Sequence, residues 1–490
     1  MTDNCPAPFN MAAYVLAAGA LTPDKIALEI LRASGAERWS FARLESAVRG
    51  TGTGLAALGL PPGARVLLRL GNSVDFPLAY LGALAVGLVP VPTSTALTAP
   101  EITTMARALS PALVIAAEGV ALPDHPAPVL TLNALRAMRD LPPCDYDMGP
   151  PDRAGYIVFT SGSGGRPRAV VHAHRAVWAR RMMWGGWYGL RRDDRMMHAG
   201  AFNWTYTLGT GLMDPWAIGA TALVCEPGAP LGLLMRRHDA TIFAAVPGVY
   251  RQLLDRARMR ALPRLRHGLS AGEKLPDSTR AAWNAATGTR IYEALGMSEC
   301  STYISGSPAR PAPEGALGYP QAGRRVTVLN GDDGILAIHR SDPGLMLGYL
   351  GPDGAPHLPL QDDWFVTGDR VKQAPDGAIT YLGRDDDMMN AGGFRVSPLE
   401  VEHALAAHPA LDDLAVTDVE IRPGVWIIAA FYTAASAVDD AALMGFAAER
   451  LARYKQPRLY RHLPTLPRGA NGKLSRRALR AQIKADDDRA

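Results

Sequence analysis

Tyr156-Ile157-Val158-Phe159-Thr160-Ser161-Gly162-Ser163-Gly164-Gly165-Arg166-Pro167-Arg168 is the stretch on which the rest of the chain turns. Its first four residues form an apolar run, which predicts a short buried strand. The strand runs into hydroxyls and glycines closed by two arginines, a composition suited to holding polyphosphate. Glycines let the backbone come close and aim successive N–H groups at one anion, while Ser and Thr add donors. Arg166 and Arg168 add permanent charge and forked donors for phosphate oxygens. A Gly/Ser/Pro cluster also reads as a plain surface turn. The loop is no Walker A motif, because the Lys and hydroxyl pair of G-x-x-x-x-G-K-[ST] is missing.

Outward from this loop, the chain has the length and composition of a globular protein with more than one domain. Its 490 residues exceed one ordinary core, and 48% are hydrophobic against 20% charged. A net charge of +4 over this length makes no case for a nucleic-acid surface. Cys5, Cys144, Cys225 and Cys300 are widely separated, with no C-x-x-C pair. That argues against a zinc site or a disulfide framework and for a reducing, cytoplasmic home. The apolar segment from Met11 to Leu21 lacks a basic region before it, so it does not read as a secretory signal. Gly and Pro interrupt the apolar run from Phe76 to Val91 too early for a membrane span. It predicts a buried helix-and-strand unit, and no integral membrane segment is expected.

Strand-like runs at 65–70, 113–115, 156–159, 222–224 and 241–246 alternate with helix-like runs. This predicts an α/β fold with layered, mostly parallel sheets. A Gly/Pro-rich loop at 308–320 precedes short alternating segments such as Gly334-Ile-Leu-Ala-Ile338, which read as a small antiparallel, barrel-like sheet. From Asp387 onward a smaller α+β unit is expected. It comprises a helix from Pro398 to Ala407, strands near Ala415 and from Val425 to Tyr432, and a helix ending at Tyr454. The acidic end from Ala485 predicts fraying.

The glycine loop resembles the phosphate loop of the acyl-adenylate-forming (AMP-binding) superfamily, T-S-G-[ST]-T-G-x-P-K-G-V. It departs at Gly164 for threonine, Arg168 for lysine and Ala169 for glycine. Further blocks follow in the family's order. Ser270-Ala271-Gly272-Glu273 resembles the segment beside the adenine. Glu293-Ala294-Leu295-Gly296-Met297-Ser298-Glu299 is similar to the Y-G-x-T-E block. Trp364-Phe-Val-Thr-Gly-Asp369 resembles the T-G-D block. Gly383-Arg384-Asp-Asp386-Asp387 through Arg395-Val-Ser-Pro398 resembles the hinge block, and Asn471-Gly472-Lys473-Leu474 the C-terminal lysine block. The chain is thereby identified as a member of this superfamily, with a benzoate-CoA ligase-like flavour.

The resemblance implies a large domain over 1–384, holding ATP and the acid, and a small mobile α+β domain over 385–490 that turns on Asp386. It places Thr160, Ser161, Gly162, Ser163, Gly164, Arg166 and Arg168 on the phosphates, and Glu299 on Mg²⁺ with Ser298 beside it. Gly272, Glu273, Glu293, Ala294, Leu295 and Gly296 fall beside the adenine. Asp369 goes to the ribose hydroxyls, Arg384 to ribose or phosphates, and Arg395 belongs to the hinge block. Lys473 would bridge the carboxylate and the α-phosphate. Gly392 and Gly393 would line the pantetheine tunnel. The run Asp385-Asp386-Asp387 also reads as a plain solvated loop or a metal cluster, and the resemblance favours the hinge.

Relatives that activate acetate carry a tryptophan at the position of Gly296, so glycine implies an acid larger than acetate. Trp204 and Tyr206 fall in the acyl-pocket segment, where they border an aryl or short-to-medium acyl group or simply pack in the core. The leading reading is an acyl-CoA synthetase using ATP, Mg²⁺ and CoA on a small carboxylic acid. The alternatives are an adenylation enzyme that loads a carrier protein, and a nucleotide-binding homologue without turnover. Oligomeric state, monomer or homodimer, is left open.

Overall fold

The computed structural model describes residues 4–161, 167–255, 262–385, 388–391, 394–422, 425–451, 453–469 and 474–487. It divides into two compact units, Met1–Val326 with Ile338–Phe365 and Thr327–Ala337 with Val366–Ala490.

The first unit is built on two largely parallel sheets. Among the described residues, one has nine strands in the order Tyr319–Pro320, Ser301–Ser305, Ile291–Met297, His267–Ala271, Ile242–Ala245, Arg195–His198, Thr221–Cys225, Ile26–Arg32 and Gly35–Ser40. Its six central strands, from 291–297 across to 26–32, run parallel, and antiparallel strands close both edges. The second sheet, Val89–Pro92, Arg65–Arg69, Leu113–Ala116 and Val129–Thr131, is parallel throughout. Four of the apolar runs read from the sequence, 65–70, 113–115, 222–224 and 241–246, are among these strands, whereas 156–159 belongs to a separate antiparallel sheet. Phe76 to Val91 becomes the buried helix Asp75–Ala85 followed by the strand Val89–Pro92.

Alternation along the strands sorts side chains to two cores. Met196, Ile242, Ala244, Leu269 and Ala271 pack with Trp187 and Tyr188 on one face, while Met197, Phe243 and Ala245 pack with Tyr250 and Trp283 on the other. Each large side chain taken fully out of water contributes roughly 1.5–3 kcal/mol, so these faces fix the register of the parallel strands. Helix starts are marked locally. Asn10 Oδ1 accepts from Ala12 N at 2.9 Å ahead of Met11–Leu16, and Thr98 with Glu101 forms a capping box ahead of Ala99–Leu109.

The glycine loop is not the strand-to-helix turn of a P-loop. Ala154–Ser161 and Pro167–Ala173 form an antiparallel hairpin, with Thr160 opposite Arg168 and Ser161 opposite Pro167. Ile157, Ala169 and Val171 anchor the hairpin in the core that covers Leu67, Val91, Ile102 and Val114. The loop residues 162–166 themselves lie outside the described residues.

In the second unit residues 369–373 of the strand Trp364–Gln373 pair antiparallel with Ile379–Arg384, and residues 333–337 of the strand Asp333–His339 belong to the same four-stranded sheet. The strands Asp413–Arg422, Val425–Thr433 and Leu459–His462 form a second sheet, whose core takes Val401 and Leu405 from the helix Pro398–Leu405. The next helix stops at Ala448, short of Tyr454, and the single 3-10 turn Arg453–Lys455 follows. Pro457, which has no N–H to continue a helix, lies just beyond. The last helix, Arg476–Asp487, reaches into the segment expected to fray. No helix among the described residues is long and apolar enough to cross a membrane.

Candidate active site

The hairpin end and the 293–299 block meet in the first unit. Glu299 is 4% exposed, and its Oε1 accepts the Tyr349 hydroxyl at 2.8 Å. Arg168, half-exposed, brings Nη2 to 3.9 Å from the same oxygen and lays its guanidinium 4.1 Å from the Tyr349 ring centroid. Bonds to the main chain hold this segment, with Met346 N donating to Glu299 O at 2.8 Å and the ring nitrogen His172 Nε2 to Ser298 O at 2.7 Å. A buried carboxylate and a half-exposed guanidinium thus stand together where the hairpin ends. An anion arriving there meets a cation that is not fully committed.

Magnesium takes one or two carboxylates and completes its shell with phosphate oxygens and water. Glu299 fits that demand. Among the described residues no group of three His, Cys, Asp or Glu is placed to hold a metal.

Gly272 and Glu273 follow the end of the strand His267–Ala271, next to 291–297 in parallel register, Ser270 opposite Glu293 and Ala271 opposite Ala294. Gly272 and Glu273 thus follow the carboxyl end of the strand, the usual ligand edge of such sheets. Glu293 has a structural duty, since Oε1 accepts from Leu275 N and Oε2 from Arg280 Nη2, both at 2.8 Å. Burial raises its carboxyl above the ordinary range. At Gly296, a Cβ would meet Ser301 O and Thr302 Cα at 2.7 Å, so glycine is required by the close approach of the antiparallel strand.

Trp204 precedes the short helix Thr205–Leu208, and Tyr206 within it stacks on Trp187 at 5.7 Å and donates its hydroxyl to Leu269 O at 3.1 Å. Beneath them lies a group that sequence reading missed. Arg180 forks onto Asp214, Nε to Oδ1 at 2.8 Å and Nη2 to Oδ2 at 2.6 Å, and also reaches Ser301 Oγ and Tyr188. Both ions are buried, and burial holds the Asp214 carboxyl above its usual range despite the guanidinium. Removing one partner strands the other charge, so Asp214→Asn should cost about 3 kcal/mol, read as a lowered urea midpoint.

The second unit carries Asp369 and Arg384 opposite one another on paired strands, Arg384 Nη1 lying 3.3 Å from Asp369 Oδ1 and donating to Thr367 O at 2.8 Å. Asp369 is 5% exposed, and Tyr381 OH approaches the same Oδ1 at 3.4 Å. Gly162, Ser163, Gly164, Arg166, Asp386, Gly392, Gly393 and Lys473 lie outside the described residues. Ser161 and Arg395 are described by their backbone alone.

Tyr349 and the Arg180–Asp214 pair had no local signal. Tyr349 is 50 residues from Glu299, and nothing about a Gly-Tyr-Leu run marks it. Asp214 in an apolar helix was the nearest thing to a clue.

Comparison with known proteins extends these observations over the whole chain. The model of the AMP-binding enzyme family matches residues 16–350, and that of the AMP-binding enzyme C-terminal domain matches 400–473. A 4-hydroxybenzoate--CoA/benzoate--CoA ligase of Rhodopseudomonas palustris is 30% identical over 90% of this chain and 88% of its own length. A benzoate--CoA ligase of Thauera aromatica is 30% identical over 96% and 92%. The crystal structure of a benzoate CoA ligase from Burkholderia xenovorans superposes with a TM-score of 0.83 at 27% identity, covering 96% of this chain and all of that one (100%). Matched blocks, matched length and matched fold together make this chain a member of the AMP-binding enzyme family.

Proposed function

We propose that the chain is an ATP-dependent acid–thiol ligase. It activates a carboxylic acid larger than acetate, aryl or short-to-medium acyl, as acyl-AMP with release of pyrophosphate, and then passes the acyl group to CoA. The observation that carries this reading is the buried Glu299 carboxylate beside Arg168 where the glycine-rich hairpin ends. The benzoate--CoA ligase relatives support the aryl end of the range.

In this reading the 160–168 loop binds the β- and γ-phosphates, with Arg168 doing by a fork what lysine does as a point charge. Glu299 would hold Mg²⁺, which supplies charge neutralisation on the phosphates, and Ser298 keeps a hydroxyl nearby. Gly272, Glu273 and residues 293–296 border the adenine, and Trp204, Tyr206 and Gly296 border the acid. Asp369 accepts from the ribose hydroxyls, a vicinal diol suiting one carboxylate, and Arg384 orients it. Positioning and electrostatics carry the first step, since no protein nucleophile is required. Lys473 steadies the charge between carboxylate and α-phosphate. Asp386 serves as hinge between 1–384 and 385–490, and Gly392 and Gly393 admit the pantetheine arm.

Pyrophosphate release with ATP, Mg²⁺ and acetate, butyrate, octanoate, benzoate and hydroxybenzoates, with and without CoA, tests the proposal. CoA-dependent turnover of one of the larger acids is expected. Release without thioester would point to a carrier protein as acceptor, and acetate as the best acid would overturn the size assignment. Lys473→Ala should lower acid-dependent release about 100-fold while thioester formation from supplied acyl-AMP survives. Loss of both steps would contradict its restriction to adenylation.

A further inference from the structure

At the carboxyl end of the strand Arg195–His198, a set of buried polar atoms has no partner. Both ring nitrogens of His198, 4% exposed, and the hydroxyl of Thr207, 1% exposed, meet no hydrogen-bond partner among the described residues. Alternation puts His198 on the face of Met196, the face that packs against Trp187, Tyr188 and the partly buried Tyr206. The ring of Tyr206 stands edge-on to His198 with centroids 4.4 Å apart. A Cβ at Gly200 would fall 2.3 Å from Thr207 Oγ1 and 3.2 Å from His198 Nδ1, so the missing side chain leaves the two groups flanking one point.

Buried polar atoms in folded proteins nearly always find a partner, and an exception asks for one. Arg180, the cation whose charge acts on His198, is committed to Asp214. Burial lowers His198 to about 3, so its ring is neutral and offers one N–H and one bare nitrogen. A neutral imidazole beside a hydroxyl matches a ligand group that both donates and accepts. It offers no cation for a second carboxylate.

We propose that His198 and Thr207 form a polar subsite that binds a hydroxyl carried on the acyl group, and so select hydroxylated acids over their parents. The inference rests on the acyl-activating reading, with Tyr206 bordering the acid. The hydroxyl donates to the bare ring nitrogen and accepts from Thr207, with the Tyr206 ring edge-on to His198. An acid without the hydroxyl leaves these groups unpaired, which is how a site built to hydrogen-bond a substrate discriminates strongly.

The test is kcat/KM for acid-dependent pyrophosphate release by the full chain on matched acids, benzoate against 3- and 4-hydroxybenzoate and octanoate against 8-hydroxyoctanoate. One hydroxylated acid should exceed its parent by about 100-fold or more. Thr207→Val, nearly the same shape, should cut that ratio about tenfold, and His198→Leu should cut it at least as far. ATP binding and circular dichroism report whether each variant is folded, and the valine variant carries the test if the histidine variant is not. Parent acids used as well as their hydroxylated partners, or a ratio untouched by Thr207→Val, would overturn the subsite alone. Silence with every acid would sink the acyl-activating reading and the subsite with it.

Discussion

Glu299→Gln should lower acid-dependent pyrophosphate release by about 10³-fold while ATP still binds. The change keeps the shape and the contact with the Tyr349 hydroxyl, and it removes one buried negative charge. With that charge gone, Arg168 loses the carboxylate 3.9 Å away and is freer to meet phosphate, so nucleotide binding should hold or tighten. Turnover should collapse because the carboxylate that would share a hard cation with the phosphates is missing. The diagnostic is therefore a split, with kcat falling and the apparent affinity for ATP kept, together with a raised Mg²⁺ requirement. A variant that retains kcat and only weakens ATP would show that Glu299 shapes the site without handling the metal.

Acid should unfold the first unit steeply, beginning well above the carboxylate range. Burial lowers His172 and His267 to about 4 and His174 and His198 to about 3, against an ordinary value of 6.5. Three of them are held as neutral tautomers. His172 Nε2 donates to Ser298 O, His267 Nε2 donates to Tyr188 O, and His174 Nδ1 accepts from Met11 N. Below pH 6.5 the unfolded chain binds protons at these rings and the folded chain does not, so stability rises with pH and is lost as pH falls toward the folded values. Each ring costs roughly 1.4 kcal/mol per pH unit once below its unfolded pKa, and together they give a slope of several kcal/mol per unit. Asp214 and Glu293, whose carboxyls burial raises, act in the opposite sense nearer the carboxylate range, so the slope is best read between pH 6.5 and 5. Urea midpoints across that window measure it. His267→Gln, which keeps a donor for Tyr188 O, should remove about one proton from the slope. A flat profile would mean that these rings are protonated in the folded chain.

The sequence by itself determined the family, several of the strands and the order of the blocks. Those features are local: an apolar run such as Thr241-Ile-Phe-Ala-Ala-Val246 forms a strand wherever it packs, and Ile242–Ala245 does so here. A glycine-hydroxyl-arginine loop keeps its chemistry in any topology, but its setting was not legible. The strands on either side of it pair antiparallel, and Val170 and Val171 in the second also pair with the strand Gly348–Leu350, almost 180 residues away in the chain (roughly the order of a whole domain).

Only the tertiary structure decided which charges meet. Glu299 with Tyr349 and Arg168, Arg180 with Asp214, and Glu293 with Leu275 N and Arg280 are juxtapositions made by packing of distant segments. It also decided what a residue type is for. Gly296 is demanded by a neighbouring strand, and His198, unremarkable in sequence, becomes a neutral ring whose two nitrogens meet no partner among the described residues. The physical reason is range. Strand and turn preferences are set by a few neighbouring residues, whereas desolvation and hydrogen-bond pairing depend on everything that folding brings within a few ångströms.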